Sequence, residues 1–271
     1  MTQPAPALNF SGVSFPEMYE RWLVQPLFRP FAEDLLRSVA LTAGNALLDI
    51  ACGTGIVARL ASEQLGTGAR VVGVDLSPQM LGVARAVAPG VDWREGNAAA
   101  LPVTVGEAFD VVICQQGLQF FPDKPAAARE ARRVLTPGGR AAIATWRSLE
   151  EIPMLRDLHR VAERHLGPVV DQRHSFGDAA GLRGLLADAG FQDVRVETLA
   201  RTIRFDDAKA FLRLNTMALT GMSAAAKAMS DDERARVVGA IAQDSAEALP
   251  PYLDGEGLAF EISTNVATAR G

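Results

Sequence analysis

Short apolar runs alternate with amphipathic patterns from about residue 45 onward, and this alternation predicts secondary structure along most of the chain. Runs typical of buried strands cover 46–50, 70–75, 91–95, 109–114 and 140–146. Helical patterns of spacing three and four lie between them. Strands that alternate with helices favour a mostly parallel sheet with helices on both faces. The sequence therefore predicts an α/β, Rossmann-like doubly wound fold.

Capping residues and prolines sharpen the helix boundaries. Ser77 followed by Pro78 is typical of a helix start, because serine caps the first turn and proline needs no amide partner there. A second helix over 124–134 should end before the Thr-Pro-Gly-Gly segment at 136–139, which predicts a tight reversal into the next strand. A third helix over 178–189 is followed by a glycine suited to the left-handed conformation.

The pattern changes after residue 191. The segments 193–199 and 258–267 alternate like half-exposed strands, so they are expected to pair antiparallel at one edge of the sheet. An Ala- and Met-rich helical stretch separates them, and two amphipathic patterns interrupted by Pro26 and Pro30 precede the sheet.

These patterns predict one domain in three parts. An N-terminal helical lid covers 1–41, the core covers 42–205 and 256–271, and a helical cap inserted near the C-terminus covers 206–255.

Composition narrows the classes of function. The 271 residues are 48% hydrophobic and 22% charged with a net charge of −5, a balance typical of a globular protein with a full core. No basic cluster is present, so nucleic acid is not an expected partner. No apolar run reaches the ~20 residues of a membrane span and no secretory signal begins the chain, so we expect a cytoplasmic protein, monomeric or homodimeric. Two distant cysteines and three histidines indicate no metal site.

The most informative segment is a buried strand that opens through glycines into a helix, Leu-Leu-Asp-Ile-Ala-Cys-Gly-Thr-Gly over 47–55. Gly53 and Gly55 allow a ligand close to the backbone, and Asp75 follows the next strand, where an acid can hold ribose hydroxyls. This spacing also fits a nicotinamide dinucleotide. Asp49 on the first strand would repel a pyrophosphate and favours a ligand with an ammonium group.

Later motifs separate these alternatives. The chain resembles the class I S-adenosylmethionine-dependent methyltransferases, and within them the small-molecule group similar to the ubiquinone/menaquinone C-methyltransferases. The segments that carry the resemblance are Asp-Ile-Ala-Cys-Gly-Thr-Gly at 49–55, Val-Asp-Leu-Ser-Pro-Gln-Met-Leu at 74–81, Gly-Asn-Ala-Ala-Ala-Leu-Pro at 96–102 and Arg-Arg-Val-Leu-Thr-Pro-Gly-Gly at 132–139. The resemblance implies a seven-stranded sheet of order 3-2-1-4-5-7-6 with strand 7 antiparallel.

The resemblance also implies residue roles toward S-adenosyl-L-methionine, whose product is S-adenosyl-L-homocysteine. Asp75 should accept from the ribose hydroxyls, and Asn97 stands where the family usually has Asp. The expected cofactor-binding residues are Tyr19, Asp49, Ala51, Gly53, Gly55, Asp75, Leu76, Met80, Gly96, Asn97, Ala98 and Gln115.

The acceptor side is less defined by sequence. His174 precedes a helix cap on a predicted loop and is the candidate general base, although a solvated histidine is the competing interpretation. Candidate substrate contacts are Trp22, Gln116, Gln119, Trp146 and Met217. The expected function is methyl transfer from S-adenosylmethionine to O, C or N of a small, mostly apolar metabolite. The alternatives are a cofactor-binding scaffold without transfer activity and a nicotinamide-dependent oxidoreductase.

Overall fold

A single twisted sheet forms the centre of the computed structural model, which describes residues 13–271. Its strands are β1 (Leu47–Ile50), β2 (Val71–Asp75), β3 (Asp92–Glu95), β4 (Phe109–Gln115), β5 (Leu135–Trp146), β6 (Gln192–Phe205), β7 (Leu253–Asp254) and β8 (Gly257–Arg270).

The strand order is β3-β2-β1-β4-β5-β8-β6, with β7 paired to β8 off this path. The first five strands are parallel, whereas β8 runs antiparallel to both β5 and β6. The predicted fold class and order 3-2-1-4-5-7-6 are confirmed, because the predicted seventh strand is β8. The short β7 is the one addition.

Nine α-helices lie in the described part of the chain. They are α1 (Phe15–Met18), α2 (Arg29–Val39), α3 (Ile56–Leu65), α4 (Pro78–Val87), α5 (Lys124–Arg133), α6 (Pro153–Leu166), α7 (Ala179–Asp188), α8 (Ala208–Met222) and α9 (Asp231–Ser245). The caps match the sequence, since Ser77 accepts from the amide of Met80 and Asp178 accepts from two amides of α7.

Two expectations about local structure were wrong. Pro26 does not interrupt the N-terminal helix, because Tyr19–Phe28 forms a π-helix that joins α1 to α2. The amide of Arg29 reaches the carbonyl of Val24, five residues back, so the hydrogen bonds shift around the missing proline donor. The segment 136–139 lies inside β5, at a register shift against β4, and makes no separate reversal.

The two faces of the sheet are covered by different helices. Apolar residues of α5 and α7 pack on one face, and those of α2, α3 and α4 pack on the other. A third cluster around Trp146, Phe205 and Phe260 joins the end of β5 to α6 and α8. The carboxyl ends of the five parallel strands are therefore left open to a ligand at one edge.

The predicted cap region 206–255 contains α8 and α9, which pack on α6. Of the predicted N-terminal lid over 1–41, residues 1–12 lie outside the described residues. The division into lid, core and cap stays a prediction. Across residues 13–271, no helix is long and apolar enough to cross a membrane.

Candidate functional site

One cavity of about 840 Å³ lies at the carboxyl ends of the parallel strands and continues beneath α8. This volume falls within the ~300–1,000 Å³ typical of ligand sites. Of the predicted site residues, the cavity is lined by Tyr19, Ala51, Gly53, Asp75, Leu76, Met80, Gly96, Asn97, Ala98, Gln115, Gln116, Trp146, His174 and Met217. Four predicted residues, Trp22, Asp49, Gly55 and Gln119, do not line it.

The two glycines of the loop after β1 have different surroundings. Gly53 has a φ of +57°, and a Cβ there would meet no protein atom within 4 Å, so the open space belongs to the cavity. Gly55 has a φ of +89°, and a Cβ there would lie 2.2 Å from Cη2 of Trp93. A Cβ at Gly73 on β2 would also meet this indole, at 2.3 Å from Cζ3. Packing against Trp93 is thus a sufficient reason for glycine at position 55, which does not line the cavity.

Asp75 is held by the backbone at the end of β2. Its Oδ2 accepts from the amide of Gly53 and its Oδ1 accepts from the amide of Ser77, both at 2.8 Å. Each carboxylate oxygen keeps a further lone pair for a ligand hydroxyl. The next residue, Leu76, is 68% exposed although apolar, and it lines the cavity beside Met80. This edge therefore offers two fixed acceptors next to an apolar wall.

Asn97 forms a local turn that the sequence reasoning did not anticipate. Its Oδ1 accepts from the amide of Ala99 at 2.9 Å, so the amide nitrogen is the group left for a ligand. A Cβ at Gly96 would lie 2.5 Å from Pro102, so glycine is needed for the chain to pass there.

Asp49 lies behind the loop and not on the cavity surface. It is 1% exposed, and its Oδ2 accepts from the amide of Ala58 at 3.1 Å. Burial raises the pKa of this carboxyl to about 8, and Asp75 adds to the rise. Burial and the nearby acids Asp75, Glu20 and Asp49 also raise the pKa of Tyr19 well above its usual value. This end of the cavity disfavours a further negative charge and favours a cationic ligand.

Three glutamines lie at the end of β4 and just beyond it. The amide nitrogen of Gln115 donates to the carbonyl of Phe28 at 2.8 Å, and its Oε1 is buried with no hydrogen-bond partner among the described residues. Gln116 has a φ of +55° and donates to the hydroxyl of Thr264 at 2.9 Å. Gln119 is buried behind it and donates to Gln116 Oε1 at 3.5 Å. Gln115 therefore lines the cavity with its residue surface, while its Oε1 is covered.

The half of the cavity beneath α8 is mainly apolar. Its walls include Leu23, Leu27, Phe28, Trp146, Leu155, Phe211, Leu214, Met217, Met222, Phe260 and Ile262. Trp22 faces elsewhere, because the guanidinium of Arg21 lies 5.0 Å from its ring centroid and neither residue lines the cavity.

His174 lies in this half, in a short 3₁₀ helix, and is buried, which corrects the picture of a solvated loop. Its Nδ1 lies 2.9 Å from the carbonyl of Arg147, so Nδ1 carries the proton in the neutral ring and Nε2 is left for a ligand. Burial, with help from neighbouring Arg173, lowers the pKa of His174 to about 4. The imidazole is therefore neutral at physiological pH.

Three polar cavity residues were not predicted as site residues, namely Ser77, Arg173 and Asn215. The guanidinium of Arg173 is paired with Asp171 and donates to Asn215 Oδ1 at 2.9 Å. Asn215 stands on α8 among apolar residues, and an isolated polar residue on an apolar helix face was the available signal. Within the described part of the chain, no group of three His, Cys, Asp or Glu side chains could hold a metal ion.

Comparison with known proteins decides the family. A profile described as Methyltransferase domain matches residues 48–143. A 2-phytyl-1,4-naphtoquinone methyltransferase of Thermosynechococcus vestitus is 33% identical over an alignment of 174 residues. The alignment covers 57% of this chain and 76% of that protein. The chain belongs to the class I S-adenosylmethionine-dependent methyltransferases.

Solved structures agree with this fold. The YcgJ protein of Bacillus subtilis superposes with a TM-score of 0.57 at 19% identity, over 88% of this methyltransferase and 97% of that chain. A phosphoethanolamine N-methyltransferase of Haemonchus contortus, in complex with S-adenosyl-L-methionine, gives a TM-score of 0.54 at 17% identity. The match covers 97% of this chain and 61% of that chain.

This methyltransferase uses S-adenosylmethionine, and its residues fit that group. A nucleoside joined to an amino acid suits this edge of the cavity. It would find the two carboxylate oxygens of Asp75, the exposed side chain of Leu76 and the open space beside Gly53. The buried acid Asp49 suits its positive charges. A nicotinamide-dependent oxidoreductase is excluded by the family.

Proposed function

We propose that this methyltransferase transfers a methyl group to an oxygen, carbon or nitrogen of a small, mostly apolar metabolite. The observation that carries the proposal is the continuity of the cavity, from the loop after β1 to the apolar walls beneath α8. Cofactor and acceptor can therefore meet without passing through water. The relative from Thermosynechococcus vestitus acts on a naphthoquinone, which makes a bicyclic quinol a sensible first acceptor.

The cofactor roles follow from the geometry of the strand ends. Asp75 would accept from both ribose hydroxyls while the backbone holds its carboxylate in place. Leu76 and Met80 would cover the adenine, and Gly53 would admit the methionine part. Asp49 would act through its charge, from behind the loop. Further cavity residues in cofactor reach would be Tyr19, Ala51, Gly96, Asn97, Ala98 and Gln115.

The helical segments around the apolar half would serve as lids. The π-helix Tyr19–Phe28 is tied to the end of β4 through Gln115, and an ion pair joins Glu20 to Arg59 at 2.8 Å. On the other side, α8 contributes Phe211 to the wall. We therefore propose 1–41 and 206–255 as the lid and cap that exclude water, around the core.

Bound S-adenosylmethionine supplies an electrophilic methyl group on a sulfonium. The protein's part is to hold the acceptor atom about 3–3.5 Å from that methyl and in line with it. Trp146 and Met217 would orient an apolar acceptor, and Gln115 and Gln116 would line the junction between cofactor and acceptor. His174 Nε2 would take the proton of an acceptor hydroxyl or amine.

The test is incubation of the protein with methyl-labelled S-adenosylmethionine and a panel of bicyclic quinols, phenols and amines, followed by mass spectrometry. The Asp75→Asn variant is the matched control, because it retains the acceptor half and weakens the cofactor half. Label in an acceptor with the native protein, and far less with the variant, supports the proposal. Cofactor binding without transfer to any member of the panel favours the scaffold without transfer activity.

A further inference from the structure

A polar cluster interrupts the apolar wall of the acceptor half. It consists of Arg173, His174 and Asn215, whose neighbours along the wall are Leu155, Leu214 and Phe260 among others. Asn215 and His174 are buried, and Arg173 is about one-fifth exposed at 22% of its side chain. A polar group in an apolar cavity costs free energy for each hydrogen-bonding atom that is left without a partner. They therefore indicate where a polar part of the substrate lies.

The hydrogen bonds already made define what the cluster still offers. Arg173 donates from Nε and Nη2 to Asp171, at 2.8 and 2.7 Å, and from Nη1 to Asn215. A guanidinium has five N–H groups, so one remains on each terminal nitrogen. Asn215 accepts with Oδ1, which leaves its Nδ2 as a donor. His174 donates from Nδ1 to the carbonyl of Arg147, which leaves Nε2 as an acceptor.

The charges of the cluster exclude an anion as the best ligand. Asp171 is 3% exposed in its side chain and neutralises Arg173 through two hydrogen bonds. His174 is neutral, so the cluster together with Asp171 carries no net charge. A carboxylate would be desolvated in the apolar cavity without a net positive charge to compensate. A neutral ligand that both accepts and donates hydrogen bonds matches the cluster better.

We propose that Arg173, Asn215 and His174 recognise a neutral acceptor substrate that carries a hydroxyl group next to a carbonyl group on an apolar body. The carbonyl oxygen accepts from Arg173 and Asn215, and the hydroxyl donates to His174 Nε2. This inference rests on the proposed function, because it specifies the substrate class of the same cavity.

The adjacent groups also explain how a weak base suffices. Arg173 and Asn215 hold their N–H dipoles at the carbonyl, beside the hydroxyl oxygen, where they stabilise the negative charge that develops on this oxygen as its proton leaves. On methyl transfer the hydroxyl proton moves to His174 Nε2, the oxygen forms the new bond to the methyl carbon, and the electron pair of the broken bond stays on sulfur. The products are a methyl ether, S-adenosylhomocysteine and a protonated His174 that returns its proton to water.

Binding of four probes to the full-length protein, saturated with S-adenosylhomocysteine so that no transfer occurs, tests the proposal by calorimetry. The four bicyclic probes differ in their polar groups. 2-Hydroxy-1-tetralone carries both the hydroxyl and the carbonyl, 1-tetralone carries the carbonyl alone, 1-naphthol the hydroxyl alone, and 1-naphthoate a carboxylate. We expect the hydroxy ketone to bind at least ~10-fold tighter than each single-group probe, because one added hydrogen bond contributes about that factor in affinity. A carboxylate that binds tightest, or a hydroxy ketone no better than 1-tetralone, overturns the proposal.

Variants of Asn215 test the same point. Asn215→Leu and Asn215→Asp both remove the Nδ2 donor. The aspartate variant keeps an acceptor for Arg173, so it serves as the test if the leucine variant does not fold. Each should weaken binding of the two ketones ~10-fold or more while affinity for S-adenosylhomocysteine is unchanged. Thr220→Val, in the same helix and away from the cavity wall, is the matched control. Ketone binding unchanged by both Asn215 variants overturns the proposal.

These outcomes are distinct from failure of the proposed function. If labelled methyl reaches an acceptor that lacks the hydroxyl-carbonyl pair, and does so without dependence on Asn215, the enzyme is a methyltransferase of apolar metabolites and the recognition proposal is wrong. If no acceptor is methylated while the cofactor product binds, the proposed function itself fails.

Discussion

Replacing Gly55 by alanine should destabilise the fold through Trp93 while leaving the cavity surface intact. The new Cβ would lie 2.2 Å from Cη2 and 2.8 Å from Cζ3 of the indole, distances that real contacts do not reach. The indole cannot move freely, because its Nε1 donates to the carbonyl of Ala88 at 2.8 Å and the ring is buried against Gly73.

Two physical costs combine in Gly55→Ala. A residue with a Cβ at a φ of +89° costs roughly 1–2 kcal/mol. Overpacking against a buried ring costs a further ~1–3 kcal/mol. The sum is about 2–5 kcal/mol in the free energy of unfolding, and ~3 kcal/mol corresponds to a fall in Tm of roughly 6–12 °C for a chain of this size.

A double-mutant cycle with Trp93→Leu separates the two costs. Leucine removes the indole atoms that the new Cβ would meet, so Gly55→Ala in that background should cost only the backbone strain of ~1–2 kcal/mol. Urea unfolding of the four proteins gives the coupling energy. Strictly additive losses would refute the assignment of Gly55 to packing.

Gly53→Ala is the matched control two residues away. Its φ of +57° carries a similar backbone cost of ~1–2 kcal/mol, but its Cβ meets no protein atom within 4 Å. The added methyl instead occupies the cavity, so affinity for S-adenosylmethionine should fall by ~10-fold or more. Calorimetric titration of both variants tests the contrast, which fails if Gly55→Ala weakens the cofactor more than Gly53→Ala does.

Three further predictions concern ionisable groups. Asp75→Asn should weaken binding of S-adenosylmethionine ~10- to 100-fold, because an amide offers the ribose hydroxyls one acceptor oxygen where the carboxylate offers two; equal affinity by calorimetry contradicts the role of Asp75. With Asp49 at a pKa of about 8, cofactor binding should favour the ionised carboxyl, so affinity rises with pH towards 8 and then levels; Asp49→Asn should lose this component, and identical pH profiles would argue against it. His174 has its pKa lowered to about 4, so the unfolded chain takes up this proton first as pH falls below 6.5; urea unfolding at pH 7 and 4.5 should show a smaller acid loss in His174→Gln, by up to about 3 kcal/mol, and an equal loss would count against a buried neutral imidazole.

Features that depend on neighbouring residues were determined by the sequence alone. The alternation of strands and helices fixes the parallel core, and Ser77 and Asp178 cap their helices because the side chain and the amides it binds are two or three residues apart. The order of motifs along the chain was enough to assign the family. These signals are local, so no knowledge of chain path is needed.

The tertiary structure decided which residues meet. Gly55 packs against Trp93. Gln115 donates to the carbonyl of Phe28, 87 residues away, and Arg173 donates to Asn215, 42 residues away. Sequence reasoning placed Gly55 at the cofactor and overlooked Asn215, because a residue type does not indicate its distant partner.

Burial was decided at the same level. Asp49 was expected to reach a ligand, and a solvated His174 was the alternative to a general base. In the structure Asp49 lies behind the loop, and His174 is enclosed with a neutral ring. Desolvation depends on every element packed around a group, and those elements come from all parts of the chain. The sequence by itself thus determined the fold and the cofactor class, whereas the packing of distant segments set the charge state and the free hydrogen-bonding atoms of the cavity.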